Sequence, residues 1–259
     1  MESSERLGAI SALPARDRTL ILVELGALTA LSWLYLVRMP MSASDFGEVA
    51  ARIAAPMPSG VVELWIVFMM WAVMMVAMML PSAAPMILTY AKIARGHGTG
   101  AIAKAWLFAA GYFAVWTIFS AVATIAQAVL QRASILSNAM STSSLVGAAI
   151  LVIAGIYQLT PMKQACLFHC QSPVSFFMTH WRDGAGGAFR MGLEHGSFCV
   201  GCCWMLMLLL FAAGVMNLTW VAALTAFVLI EKLVPYPRAI ANIAGASLIA
   251  GGVLLALRA

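Results

Sequence analysis

Seven apolar runs leave this chain few ways to fold. They lie roughly at Thr19–Val37, Val61–Leu80, Ile102–Leu130, Leu145–Tyr157, Phe198–Val215, Leu218–Ile230 and Ala239–Leu257. A helix needs about 20 apolar residues to cross a hydrocarbon core of about 30 Å. The third run exceeds that, and the fourth and sixth fall short of it. Too little polar sequence remains for an aqueous domain: 10% of the residues are charged, against about 25% in soluble domains. The alternating strands of a closed barrel are absent. The chain therefore reads as all-α, a polytopic transmembrane helical bundle of about seven spans, forming one domain over residues 1–259. The first run has spanning length and no convincing small-residue cleavage site, so it is expected to stay as an anchor.

Basic residues set the orientation. With the N-terminus in the cytoplasm, Arg6, Arg16, Arg18, Lys92, Arg95, Lys104, Lys163, Arg182, Arg190, Lys232 and Arg238 all face inward. Only Arg38, Arg52, Arg132 and Arg258 face outward. This is a clear positive-inside bias. It needs the sixth span, since otherwise Lys232 and Arg238 would lie outside. Residues 1–18 become a cytoplasmic tail, and 158–197 a cytoplasmic-side connection containing Cys, His and Gly. The net charge of +5 then reflects topology. No basic run interleaved with aromatics suggests nucleic acid.

All five cysteines fall in two short runs, Cys166-Leu-Phe-His169-Cys170 and Cys199-Val-Gly-Cys202-Cys203. The first follows span four and the second opens span five, so both are expected at the cytoplasmic side. Cys166 and Cys170 are four apart, and Cys199, Cys202 and Cys203 stand at i, i+3 and i+4. Each set shares one helical face. Thiolates are soft ligands that suit Cu(I) or zinc, and a reducing compartment disfavours disulfides. The bland alternative is that small cysteines fill helix interfaces.

Span two carries six methionines between Met69 and Met79. Met70, Met74 and Met78 form one i, i+4 ladder, Met75 and Met79 a second, and Met69 lies off both. Thioethers are uncharged and bind Cu(I) far better than zinc, so the ladders are candidate ligands or a path. Packing is the commoner use of methionine. Pro81 and Pro85 are expected to break or kink this helix at its inner end, freeing carbonyls that need other partners.

Glu231-Lys232 closes span six. Glu231 is a candidate acceptor for protons released when thiols bind metal, while Lys232 is expected to snorkel to the interface. Glu24 reads as a structural partner of Arg18. His169, inside the first cysteine run, and His195, one turn before Cys199, are further candidate ligands. His97 and His180 read as solvated. Gly184-Ala-Gly-Gly187 and Gly192 are expected to loosen the approach to span five. They lack the Lys-Ser/Thr ending of a phosphate loop. No Ser/His/Asp constellation and no HExxH motif occurs, so no catalytic site is assigned.

Several pieces together resemble an uncharacterised bacterial family of predicted metal-binding integral membrane proteins. They are Trp71-Ala-Val-Met-Met-Val-Ala-Met-Met-Leu-Pro-Ser82, Tyr157-Gln-Leu-Thr-Pro-Met-Lys163, the two cysteine runs with Trp204, Gly214-Val-Met-Asn217 and Glu231-Lys232. The resemblance covers spans two through six. It implies a metal-handling protein of the bacterial inner membrane, with copper as the metal to expect and no settled mechanism.

Three functions follow as expectations. The first is binding of a soft metal, Cu(I) before zinc, in copper transport, delivery or homeostasis, with a membrane or periplasmic metalloprotein as a partner. The second is a membrane thiol/disulfide redox protein, which leaves the methionine ladders unexplained. The third is a structural subunit of a membrane complex, whose cysteines only pack.

Overall fold

The computed structural model describes residues 14–38, 61–96, 100–133, 144–215 and 217–258. Arg6, Arg52, His97 and most of the N-terminal tail lie outside the described residues. Nine helices and no strand occur among the described residues: α1 (Ala15–Arg38), α2 (Val61–Gly96), α3 (Ala101–Arg132), α4 (Ser144–Gln158), α5 (Pro161–Gln171), α6 (Pro173–His180), α7 (Gly184–Ala213), α8 (Leu218–Leu233) and α9 (Pro237–Arg258). Five of them, α1, α2, α3, α7 and α9, are long and apolar enough to cross a membrane. The pair α4 and α5, bent by 66° at their junction, would make a sixth crossing. The 16 residues of α8 span only about 24 Å, short of a full crossing. The protein is a helical membrane bundle in which α2 and α7 are the most buried helices and α1 and α9 the most peripheral.

Helix α2 does not stop at its prolines. It runs 36 residues through both of them to Gly96. Pro81 has no N–H to offer the carbonyl of Ala77, one turn back. The indole of Trp33 on α1 takes its place, donating to that oxygen at 3.3 Å. The next turn is secured by Ser82 Oγ, which donates to the carbonyl of Met79 at 2.9 Å. The expected break is thus repaired by neighbours. Ion pairing of Arg95 with Asp17 at 2.6 Å ties the end of α2 to the start of α1. Glu24 is held differently from the expectation. It accepts from Trp106 Nε1 at 3.0 Å, and among the described residues no ion pair joins it to Arg18.

Helix α7 begins at Gly184 rather than near Phe198, so Cys199 lies in the middle of a helix instead of opening one. Its glycines tighten the bundle. A Cβ on Gly192 would fall 2.0 Å from the carbonyl oxygen of Phe108, and one on Gly111 would fall 2.1 Å from that of Phe189. The backbones of α3 and α7 therefore touch. Close approach through small residues is the normal way for helices to associate without a hydrophobic drive between them. Arg190 and Glu194, paired at 3.4 Å, mark the polar end of α7.

Two local signals place the remaining helices around α7. Thr160 accepts from the amide of Lys163 at 3.3 Å, and Pro161 occupies the first turn, where its missing N–H costs nothing. This pair ends α4 and starts α5 in a new direction. Gly214 adopts a positive φ of 93°, a conformation open to glycine, and the Asn217 side chain caps α8 by accepting from Thr219 N at 3.2 Å. The tight turn folds α8 back along α7.

Candidate metal centre

The turn at Gly214 fixes a register. Cys199 lies fifteen residues before Gly214, and Lys232 fifteen residues after Asn217. At about 1.5 Å per residue both sit at one depth. Lys232 Nζ accordingly donates to Cys199 Sγ at 3.0 Å and to Ser82 Oγ at 3.0 Å. The lysine is only 3% exposed. It does not snorkel to the interface as expected. It puts an ammonium group inside the bundle, against a thiol.

The same sulfur meets a second polar group. The backbone contact at Gly111 and Gly192 brings the next residue on α3, Tyr112, over α7. Its hydroxyl lies 3.1 Å from Cys199 Sγ and 3.4 Å from the carbonyl of Met79 on α2. Cys199 thus has an ammonium from α8 and a phenol from α3 beside it. An adjacent lysine and a polar O–H are electrostatically suited to a negative sulfur.

The other thiols converge on the same point. Cys202 and Cys203 donate back to the Cys199 carbonyl at 3.1 and 2.9 Å. Cys170, from α5, lies 4.0 Å from Cys202, sulfur to sulfur. Cys166, one turn earlier, packs on Gly201, where a Cβ would come within 2.8 Å of its sulfur. All five cysteines are free thiols, and all but Cys166 are buried. The two runs do meet, across α5 and α7.

Among the described residues, no group of three or more His, Cys, Asp or Glu side chains is placed to hold a single ion. The 4.0 Å between Cys170 and Cys202 is a little under twice a metal–thiolate bond of about 2.3 Å.

Met70, Met74, Met75, Met78 and Met79 are all buried, as a path through the bundle requires. Tyr112 links Met79, at the end of the methionine ladders, to Cys199. His195 is buried, stacked on Tyr112 with ring centroids 5.5 Å apart, and its Nδ1 has no hydrogen-bond partner. His169 is half-exposed and stacked on Phe198. Glu231 meets a different partner from the thiols. It is ion-paired with Lys163 at 2.5 Å, both side chains fully buried. Lys163 also donates to Gln158, and Gln171 Nε2 donates to the Glu231 carbonyl at 2.6 Å. This polar knot locks α5 against α8 beside the thiol cluster.

Sequence reasoning missed Lys232, Tyr112, Ser82 and Lys163 as parts of the site. For Lys232 a signal existed in the equal spacing of Cys199 and Lys232 about the turn. For Lys163 it was the third position after a Thr-Pro helix start. Ser82 closed one of the pieces that carried the resemblance, and Tyr112 carried no local signal.

A model of a family described as PpoB2, copper chaperone, matches residues 68–255, more than two thirds of the chain. The match takes in every candidate ligand named above. None of the curated proteins matches the chain, and neither does any solved structure.

Proposed function

This chain belongs to the PpoB2 copper chaperone family, and from that premise we propose that it carries Cu(I) as cargo in the bacterial inner membrane, with its N-terminus in the cytoplasm. Cys170 and Cys202 hold the ion, with Cys199 and Cys203 beside them to exchange with it. The buried Lys232–Cys199 contact at 3.0 Å is the observation that carries this reading. Cu(I) between two thiolates bears one net negative charge. In lipid such a charge is costly unless it is paired, and the Lys232 ammonium pairs it. The same cation beside a zinc bis-thiolate, which is neutral, would be left uncompensated. The centre is thus matched to a monovalent soft ion.

The methionine ladders supply the route. Thioethers add no charge, so the ion passes along them as a single positive charge and becomes most tightly held only at the thiols. A thiol/disulfide cycle would leave both the buried ammonium and the ladders without a role. A purely structural role would leave an ammonium buried against sulfur for no return.

Replacing Met70, Met74 and Met78 together with leucine separates path from site. The volumes are similar, so stability is expected to fall by less than about 1.5 kcal/mol. Transfer of Cu(I) from the purified, liposome-reconstituted protein to an acceptor chelator outside should slow sharply, while copper retained at equilibrium stays at the wild-type level. Transfer at the wild-type rate would reduce the ladder to packing.

A further inference from the structure

We propose that His169 and His180 form a second, weaker copper site at the mouth of the thiol cluster, through which the ion exchanges with solvent or with a donor. The proposal rests on the copper reading only for its destination. Its own basis is the state and placement of two rings that the thiol centre does not use.

Both tautomers follow from their partners. His169 Nδ1 lies 2.9 Å from the Ala165 carbonyl. A carbonyl only accepts, so this nitrogen carries the hydrogen. His180 Nδ1 lies 2.7 Å from Thr179 Oγ1 and 3.2 Å from the Phe176 carbonyl. The single hydroxyl proton of Thr179 is directed to a carbonyl, Ser175 O at 2.9 Å or Phe176 O at 3.2 Å, so its oxygen accepts from the ring. In each ring Nδ1 is thus tied to a protein oxygen, and Nε2 is the nitrogen left to meet a metal ion. Metal-binding histidines show this same arrangement, one N–H tied to a protein oxygen and the other nitrogen presented to the ion.

Packing holds the pair in place. The rings are 6.0 Å apart, centroid to centroid, and nearly perpendicular at 84°. Phe198 stacks on His169 at 4.2 Å and meets His180 edge-on at 6.1 Å. Phe176 backs His180 at 4.8 Å. Both histidines are half-exposed, whereas Cys170, Cys199, Cys202 and Cys203 are buried. His169 adjoins Cys170 in the chain, and Phe198 adjoins Cys199. One turn away, Glu194 pairs with Arg182 at 3.2 Å, so the pair sits where α7 turns from charged to apolar sequence.

Two neutral imidazoles hold Cu(I) less tightly than thiolates, so the gradient of affinity runs inward. Transfer is ligand exchange: a Cu–N bond breaks as a Cu–S bond forms, the thiol proton passes to water, and copper stays monovalent.

The test uses full-length protein in detergent and Cu(I) supplied as its bicinchoninate complex, whose colour reports loading. The variants are His169→Ala/His180→Ala and His169→Phe/His180→Phe, the second keeping a ring against Phe198. Both should load on the order of tenfold more slowly and finish with the wild-type copper content. Wild-type rates in either variant would overturn the port, since the phenylalanine variant has packing without nitrogen. A lower final content in both would overturn it too, by making the histidines part of the retaining site. Should the wild type itself retain no copper, the thiol reading fails separately. The port then stands or falls on weak, nitrogen-ligated copper in equilibrium dialysis, which the phenylalanine variant must abolish.

Discussion

Cys202→Ser/Cys203→Ser protein is expected to purify folded and monodisperse but to lose most of its copper. Cys202 faces Cys170 across α5 and α7 at 4.0 Å, so its removal breaks a thiol pair that joins the two runs. Serine keeps the small volume and can still donate to the Cys199 carbonyl, as both thiols do. Folding therefore changes little, and the loss falls on the metal. Hydroxyls are hard, poorly ionised ligands for a soft ion. Copper content by elemental analysis, beside the elution profile of the same sample, gives the result. Copper at the wild-type level would return these cysteines to packing.

Lys232→Met should cost affinity without removing any ligand. The methionine fills similar space, and Ser82, relieved of the ammonium, still donates to Met79 O. With copper bound, the anionic bis-thiolate loses its counter-ion. Removing one partner of a buried ion pair costs about 3–5 kcal/mol, which corresponds to a loss of affinity of roughly a hundredfold to several thousandfold. Neutral zinc bis-thiolate gains by the same change, so the preference for Cu(I) over zinc should narrow. Competition titrations with chelators of each metal read both effects. Lys232→Arg, which keeps the charge, should restore much of the preference. Equal losses for Cu(I) and zinc in Lys232→Met would remove the charge-balance argument.

Most of the seven expected spans were legible because lipid demands long apolar runs whatever the tertiary structure; five helices, or six crossings with the bent pair, are long and apolar enough, while the expected sixth span is the 16-residue α8. The errors share a physical cause. The stretch from Gly184 to Ser197 looks like a loop because glycines and charges are poor local helix signals. It is helical because Gly192 lets α7 rest on the α3 backbone. The prolines of α2 look like a stop, but the indole of Trp33, 44 residues away in the chain, supplies a partner for the carbonyl that Pro81 frees. Lys232 looks like an interfacial cation until the turn at Gly214 sets the register of α8 on α7. In each case a contact distant in sequence overrode a sound local reading. Tyr112 shows the limit: nothing around it on α3 marks it as the residue that touches both Cys199 and Met79.

The central claim is a sulfur-ligated monovalent copper between two helices, balanced by a buried ammonium. X-ray absorption at the copper edge, on wild-type protein purified under reducing conditions, tests it most directly. The account predicts a Cu(I) edge, a first shell of two or three sulfurs and no nitrogen or oxygen at one copper per protein. A copper-free protein, a tetrahedral zinc centre or a nitrogen-dominated first shell would contradict it.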